Sequence, residues 1–180
     1  IEHKKKFLRS EYWVLSWSAS VSTRNKNYPV YSKSATAKQK KEFRNDVTSY
    51  VDEELIPQYL GEDRVSENEH LKNIEALAKK GSDLGSSFLH KGQWRIGVAQ
   101  KLLNLQLKYL WCSGMITSMP PHCPVDGIII SKTNSIGKLN WTEINDIEEY
   151  KEAIESIRIK ANEKNLELSD WELEEFERRS

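Results

Sequence analysis

Apolar residues return every three or four positions over most of this chain, and polar runs separate the stretches that keep that period. From about Ala37 to Glu54, Phe43, Val47, Tyr50 and Val51 share one face that Leu55 extends, which predicts a helix ended by Pro57. Ser66, with Glu69 three residues on, forms a capping box for a second helix. Its buried stripe is Leu71, Ile74, Leu77 and Ala78, and Gly81 and Gly85 close it. The strongest pattern, IGVAQKLLNLQLKYLW from Ile96 to Trp111, is apolar around most of its circumference and predicts a central helix. A Gly- and Pro-bearing linker follows, and VDGIIISK opens a new element that suits a helix or a strand. Residues 141–160 predict an amphipathic helix capped by Asn140 or Thr142, with Ile144, Ile147, Tyr150, Ile154 and Ile157 inward. Ser169 caps a last helix carrying Trp171, Leu173 and Phe176.

The opening reads differently. EYWVLSWSAS, residues 11–20, is rich in aromatic and β-branched residues and predicts a strand or extended segment pinned by Trp13 and Trp17. Residues 21–36 have no period and form a long loop. The expected architecture is mostly α: one compact multi-helix domain over 37–180, preceded by a basic, aromatic-rich, extended N-terminal segment over 1–36. The 180 residues suit a single core, and six Trp and seven Tyr supply large buried areas to a chain with only 38% hydrophobic residues.

Charge changes this picture by its distribution. The net charge is zero, which argues against a uniformly basic nucleic-acid binder, yet residues 1–41 carry ten Lys or Arg against two Glu. Residues 143–180 carry six basic against thirteen acidic residues. The basic third interleaves Lys4, Lys5, Lys6, Arg9, Lys33 and Lys38 with Trp13, Trp17, Tyr28 and Tyr31, a mixture suited to phosphate contact and base stacking on DNA. The acidic C-terminal helix, SDWELEEFERR, suits a basic protein partner. Two cysteines make no disulfide framework, and no apolar run approaches the roughly 20 residues that span a bilayer. A reducing, cytoplasmic setting is the expectation.

Several chemistries are absent from the sequence. There is no P-loop, GxGxxG, HExxH or GxSxG, so motor ATPases, simple dehydrogenases, zincins and serine hydrolases are not expected. Cys112, His122 and Cys123 lack the ligand spacing of a structural zinc, with His70 and His90 remote in sequence, and no metal or cofactor is expected. Adjacent His122 and Cys123 point different ways, which disfavours a thiol nucleophile. What remains is a glycine at a helix start, Lys101 one turn into that helix, and a Pro-Val-Asp whose Asp126 is the preferred type of N-cap for the element that follows.

Lys101 in GVAQK and Asp126 in PVDG resemble the active-site pattern of helix-hairpin-helix DNA glycosylases, especially 8-oxoguanine glycosylases of the archaeal type. The resemblance covers residues 94–130. It implies that Lys101 attacks the sugar C1′ as a free amine and that Asp126 stabilises positive charge on the sugar or moves a proton. It also implies a base flipped onto an aromatic ring, with Trp94, Trp111 and Phe88 the nearest candidates and Gln93 or His122 placed to read the base edge. Of the hairpin that grips DNA phosphate, only Gly97 is in place. The alternative is a non-catalytic helical module that binds nucleic acid or another protein.

Overall fold

A computed structural model describes residues 1–23 and 25–176. Seven α-helices occur among these residues: α1 Glu2–Val21, α2 Ala37–Tyr50, α3 Glu67–Gly85, α4 Ile96–Cys112, α5 Gly127–Ser131, α6 Ile147–Glu163 and α7 Leu168–Glu175. None of them is a strand, and the sole β-type pairing among the described residues is an isolated bridge between Tyr31 and Leu89. Among the described residues no helix is long and apolar enough to cross a membrane. The mostly α architecture expected from the periodicity is the one observed.

α4 is the axis of the fold. Of its residues from Ile96 to Leu110, all but Tyr109 are buried, and α1, α3 and α6 pack around it. The helix apolar on nearly every side is therefore the innermost one. α3 opens with the expected capping box: the Ser66 hydroxyl accepts from the Glu69 N–H, and the Glu69 carboxylate accepts from the Ser66 N–H.

Five local expectations are corrected. Residues 2–21 are helical rather than extended. Trp13, Ser16, Trp17 and Ser20 form the buried face of α1, at helical spacing. Two of those four positions are serines, so the apolar period is broken in sequence although the face is intact. Burying Ser16 becomes acceptable only when Gln106 of α4 donates to its hydroxyl at 2.6 Å. α1 thus belongs to the same core as the rest, with Tyr12 stacked on Tyr109 at 5.2 Å. Pro57 does not stop the helical path: after α2 the backbone runs on as a π segment, Val51–Leu55, and a 3₁₀ turn, Ile56–Tyr59. Proline fits there because the first-turn N–H it lacks has no partner in any case. Gly81 lies inside α3 rather than at its end, and a Cβ on it would meet Trp94 Cγ at 2.6 Å. α6 begins at Ile147 with Asp146 as its cap, leaving residues 133–145 mostly in turns. α7 begins at Leu168, so Ser169 lies within its first turn and donates to the carbonyls of Pro120 and His122.

Candidate functional site

Asp126 caps α5. Its Oδ1 accepts from the Ile128 and Ile129 N–H groups, both at 3.0 Å. That leaves Oδ2 turned toward Lys101 Nζ, 3.9 Å away. Lys101 projects from α4 with an 11% exposed side chain, and its ammonium lies 4.1 Å from the centroid of the Trp141 ring. Amine, carboxylate and indole share one cleft of about 1140 Å³, open to solvent, whose walls include the end of α1, the start of α5, residues 136–143 and Phe176. Such a volume accommodates a nucleoside-sized ligand.

The backbone approaches that close this wall are tight. Gly97, at the start of α4, donates to the Ile144 carbonyl at 2.8 Å. Arg95, buried one residue before α4, donates to the carbonyls of Tyr28, Pro29 and Thr142 at 2.8, 3.1 and 2.7 Å. One guanidinium thus joins the loop after α1 to the loop that carries Trp141. Asn25, Asn140, Thr142 and Glu143 make a hydrogen-bonded rim beside it.

Of the residues suggested by sequence, the structure brings Lys101 and Asp126 together and sends the others elsewhere. Trp94 is 1% exposed, with its ring centroid 4.9 Å from Phe43 and 5.7 Å from Trp17. Phe88 is buried against the same Phe43, 5.6 Å between centroids. Both are core rings and neither can stack on a base. Trp111, half-buried, lies beside a small closed void with Lys108 and Glu172. Gln93 is exposed, but it accepts a hydrogen bond from Asn145 and does not line the cleft. His122 is 1% exposed and equally absent from it. Trp141 is the ring that sequence reading missed as a site residue. The periodicity places it first in an amphipathic helix, whereas it lies in the turn before α6. Its signal was an isolated Trp in a polar, Gly- and Asn-bearing stretch.

His122 instead belongs to a buried polar chain with a consistent direction. Tyr59 donates to His70 Nδ1 at 2.7 Å, and His70 Nε2 donates to Asn104 Oδ1 at 2.8 Å. Asn104 Nδ2 donates to Tyr150 and to Gln100 Oε1, both at 3.1 Å. Tyr150 donates to His122 Nδ1 and His122 Nε2 to Glu67, both at 2.8 Å. Every polar atom is used once the two imidazoles are neutral. Burial pushes His70 down to about 3 and holds His122 below the ordinary histidine range. The hydrogen bond from His122 draws Glu67 down to about 2. Burial raises the Cys123 thiol, which removes it as a nucleophile at neutral pH. No group of three or more His, Cys, Asp or Glu that could hold a metal occurs among the described residues.

This chain of neutral histidines makes the fold acid-sensitive. The unfolded protein takes up protons on His70 and His122 below about pH 6.5, while the folded protein does not. Their stabilising effect is full above that value and falls as pH falls, and Glu67, whose side chain is half-exposed and screened by water, adds a smaller loss as pH falls from 4.5 towards about 2. The unfolding free energy at pH 5 is expected to lie below that at pH 7 by about 2 kcal/mol from His70 alone, with a further loss in the same direction from His122, and the urea midpoint falls accordingly. A midpoint constant across that range would contradict the neutral chain.

No family model, curated protein or solved structure matches this chain.

Proposed function

We propose that this protein excises a modified or damaged base from DNA, with Lys101 as nucleophile and Asp126 as its electrostatic partner. The observation that carries the reading is the Lys101–Asp126 pair at 3.9 Å, set beside an aromatic face in a cleft of nucleoside size. In the reaction, the Lys101 amine gives up a proton to Asp126 or water and attacks C1′ of an everted nucleotide. The C1′–N bond breaks, its electron pair leaves with the base, and the base takes up a proton. Opening of the C1′–O4′ bond then yields an imine between Lys101 and the sugar, which water hydrolyses to an abasic site. The carboxylate favours positive charge developing at C1′, and Trp141, 9% exposed with the Lys101 ammonium over its ring, bounds the cleft as an apolar wall rather than as a stacking platform. Exposed Lys4, Lys5 and Lys6 lie on the opening turns of α1, about 20 Å along the helix from the cleft, where they suit a flanking phosphate run.

Borohydride reduction of the imine tests this directly. Duplexes carrying 8-oxoguanine, uracil or an abasic site are incubated with the protein and reduced. A covalent complex with at least one of them is expected, with the label on the peptide containing Lys101. Lys101→Met removes it, and Asp126→Asn slows base release about 100-fold, the scale of a positioned proton-transfer group. Absence of any Lys101-dependent complex overturns the reading.

The exposed basic turn Lys4–Lys6, which contributes nothing to the chemistry, supports a second reading, a helical nucleic-acid binder without chemistry. Salt-dependent DNA binding unchanged in Lys101→Met, with no covalent complex, would select it.

A further inference from the structure

Residue 100, immediately before Lys101, carries no part of the chemistry above, yet it is fully buried and wholly committed. The Gln100 amide pairs with the backbone of Val125 as a neighbouring strand would. Its Nε2 donates to the Val125 carbonyl at 2.7 Å, and its Oε1 accepts from the Val125 N–H at 3.2 Å. The same Nε2 donates to the Gly97 carbonyl at 2.9 Å, and the same Oε1 accepts from Asn104 at 3.1 Å. Both amide protons and both lone pairs are used.

Val125 is the residue before Asp126. The direction of the Asp126 carboxylate is set by the backbone that follows, because Oδ1 is held by two N–H groups of α5. The position of that backbone relative to α4 is set one residue earlier, by Gln100. Amine and carboxylate are therefore both referenced to the same turn of α4, at adjacent positions. Asn104, one turn further on, donates to Oε1 and so fixes that this end meets the Val125 N–H while Nε2 meets the Val125 carbonyl, and the His70–Tyr150 chain holds Asn104 in turn.

We infer that Gln100 is the positioning residue of the Lys101–Asp126 pair, fixing the distance and direction between amine and carboxylate by its two hydrogen bonds to the Val125 peptide. Its value to catalysis rests on the base-excision reading, while the positioning itself does not.

The experiment needs no DNA. Native protein is acetylated at pH 7 with an N-hydroxysuccinimide ester, and the rate at Lys101 is read by peptide mass spectrometry against exposed Lys41. A carboxylate close to an amine favours its unreactive ammonium form, so Asp126→Asn is expected to speed Lys101 acetylation about tenfold. Gln100→Met, which fills the same volume but releases Val125, is expected to raise the rate severalfold while the near-ultraviolet circular dichroism stays native. The double variant is expected to match Asp126→Asn alone. Gln100→Glu, nearly isosteric and able to keep the acceptor half of the pairing, is expected to fall between wild type and Gln100→Met. A folded Gln100 variant with the wild-type rate at Lys101, effects that multiply in the double variant, or failure of both Gln100 variants to fold would each overturn the proposal. With a DNA substrate in hand, Gln100→Met is expected to lower kcat with little change in KM. If Lys101 acetylation responds as stated and no covalent DNA complex forms, base excision fails and the positioning role stands.

Discussion

Gly97→Ala is expected to lower stability by about 3 kcal/mol and to pull the indole wall away from Lys101. The reason is a backbone collision. A Cβ built on Gly97 would lie 1.8 Å from the Trp141 carbonyl oxygen and 3.2 Å from that of Ile144. Neither atom is the end of a flexible side chain, so the 141–144 segment must retreat by more than an ångström. Overfilling a packed interface typically costs about 1–3 kcal/mol, and here it also threatens the hydrogen bond from the Gly97 N–H to Ile144. Retreat of Trp141 removes the ring now 4.1 Å from the Lys101 ammonium. A lower urea midpoint is expected, with a fall of at least about tenfold in the rate of covalent trapping under conditions where the variant is folded. A variant as stable as wild type would show that the loop yields freely, and Trp141 would then lose its place in the site.

The second large effect concerns the anchor of α7. Lys108 Nζ meets both oxygens of Glu172, at 2.9 and 2.8 Å, and sits 4.0 Å from the centroid of Phe176, which edges the cleft. The Glu172 side chain is only 4% exposed. Lys108→Met leaves that carboxylate buried without its cation, and breaking a buried pair this way costs about 3–5 kcal/mol. The pH dependence follows from Glu172. Burial raises its carboxyl above the ordinary range even with Lys108 present. A group raised in the folded state stabilises below its unfolded value and loses that contribution as pH climbs through the folded one. The penalty in Lys108→Met should therefore shrink between pH 7 and pH 5 relative to wild type, as Glu172 takes up a proton. Lys108→Met with Glu172→Leu should return to within about 1 kcal/mol of wild type at pH 7. A single-variant cost below about 1 kcal/mol in urea melts would mean that α7 releases Glu172 to water.

The parts of the site legible in the sequence are those that sit in one local unit. Lys101 and Asp126 lie on α4 and at the cap of α5, consecutive helices joined by residues 113–126. The helical period places Lys101 on the first and capping chemistry places Asp126 at the start of the second, while the resemblance to the glycosylase pattern is what singles the two out as a pair. The remaining candidates were chosen for closeness in sequence to that pair, and there the helical turn worked against them. Trp94 precedes α4 on the side that faces α3 and the Phe43 cluster. His122 falls in the linker where it meets α3 and α6. In both cases the side chain packs against those elements and does not line the cleft.

By itself the sequence determined a helical protein built around residues 96–112, because apolar residues there surround most of the helix and leave a narrow polar stripe of Gln100, Asn104 and Lys108, and it determined the Asp126 cap, because capping depends only on neighbours. It did not determine that α1 is a helix, since Ser16 and Ser20 look polar until α4 offers Ser16 a hydrogen bond. Nor did it determine the aromatic wall of the cleft. Trp141 arrives there through the absence of a side chain at Gly97 and the three carbonyls gathered by Arg95, contacts that reach from 44 to 67 residues along the chain and that no local pattern records.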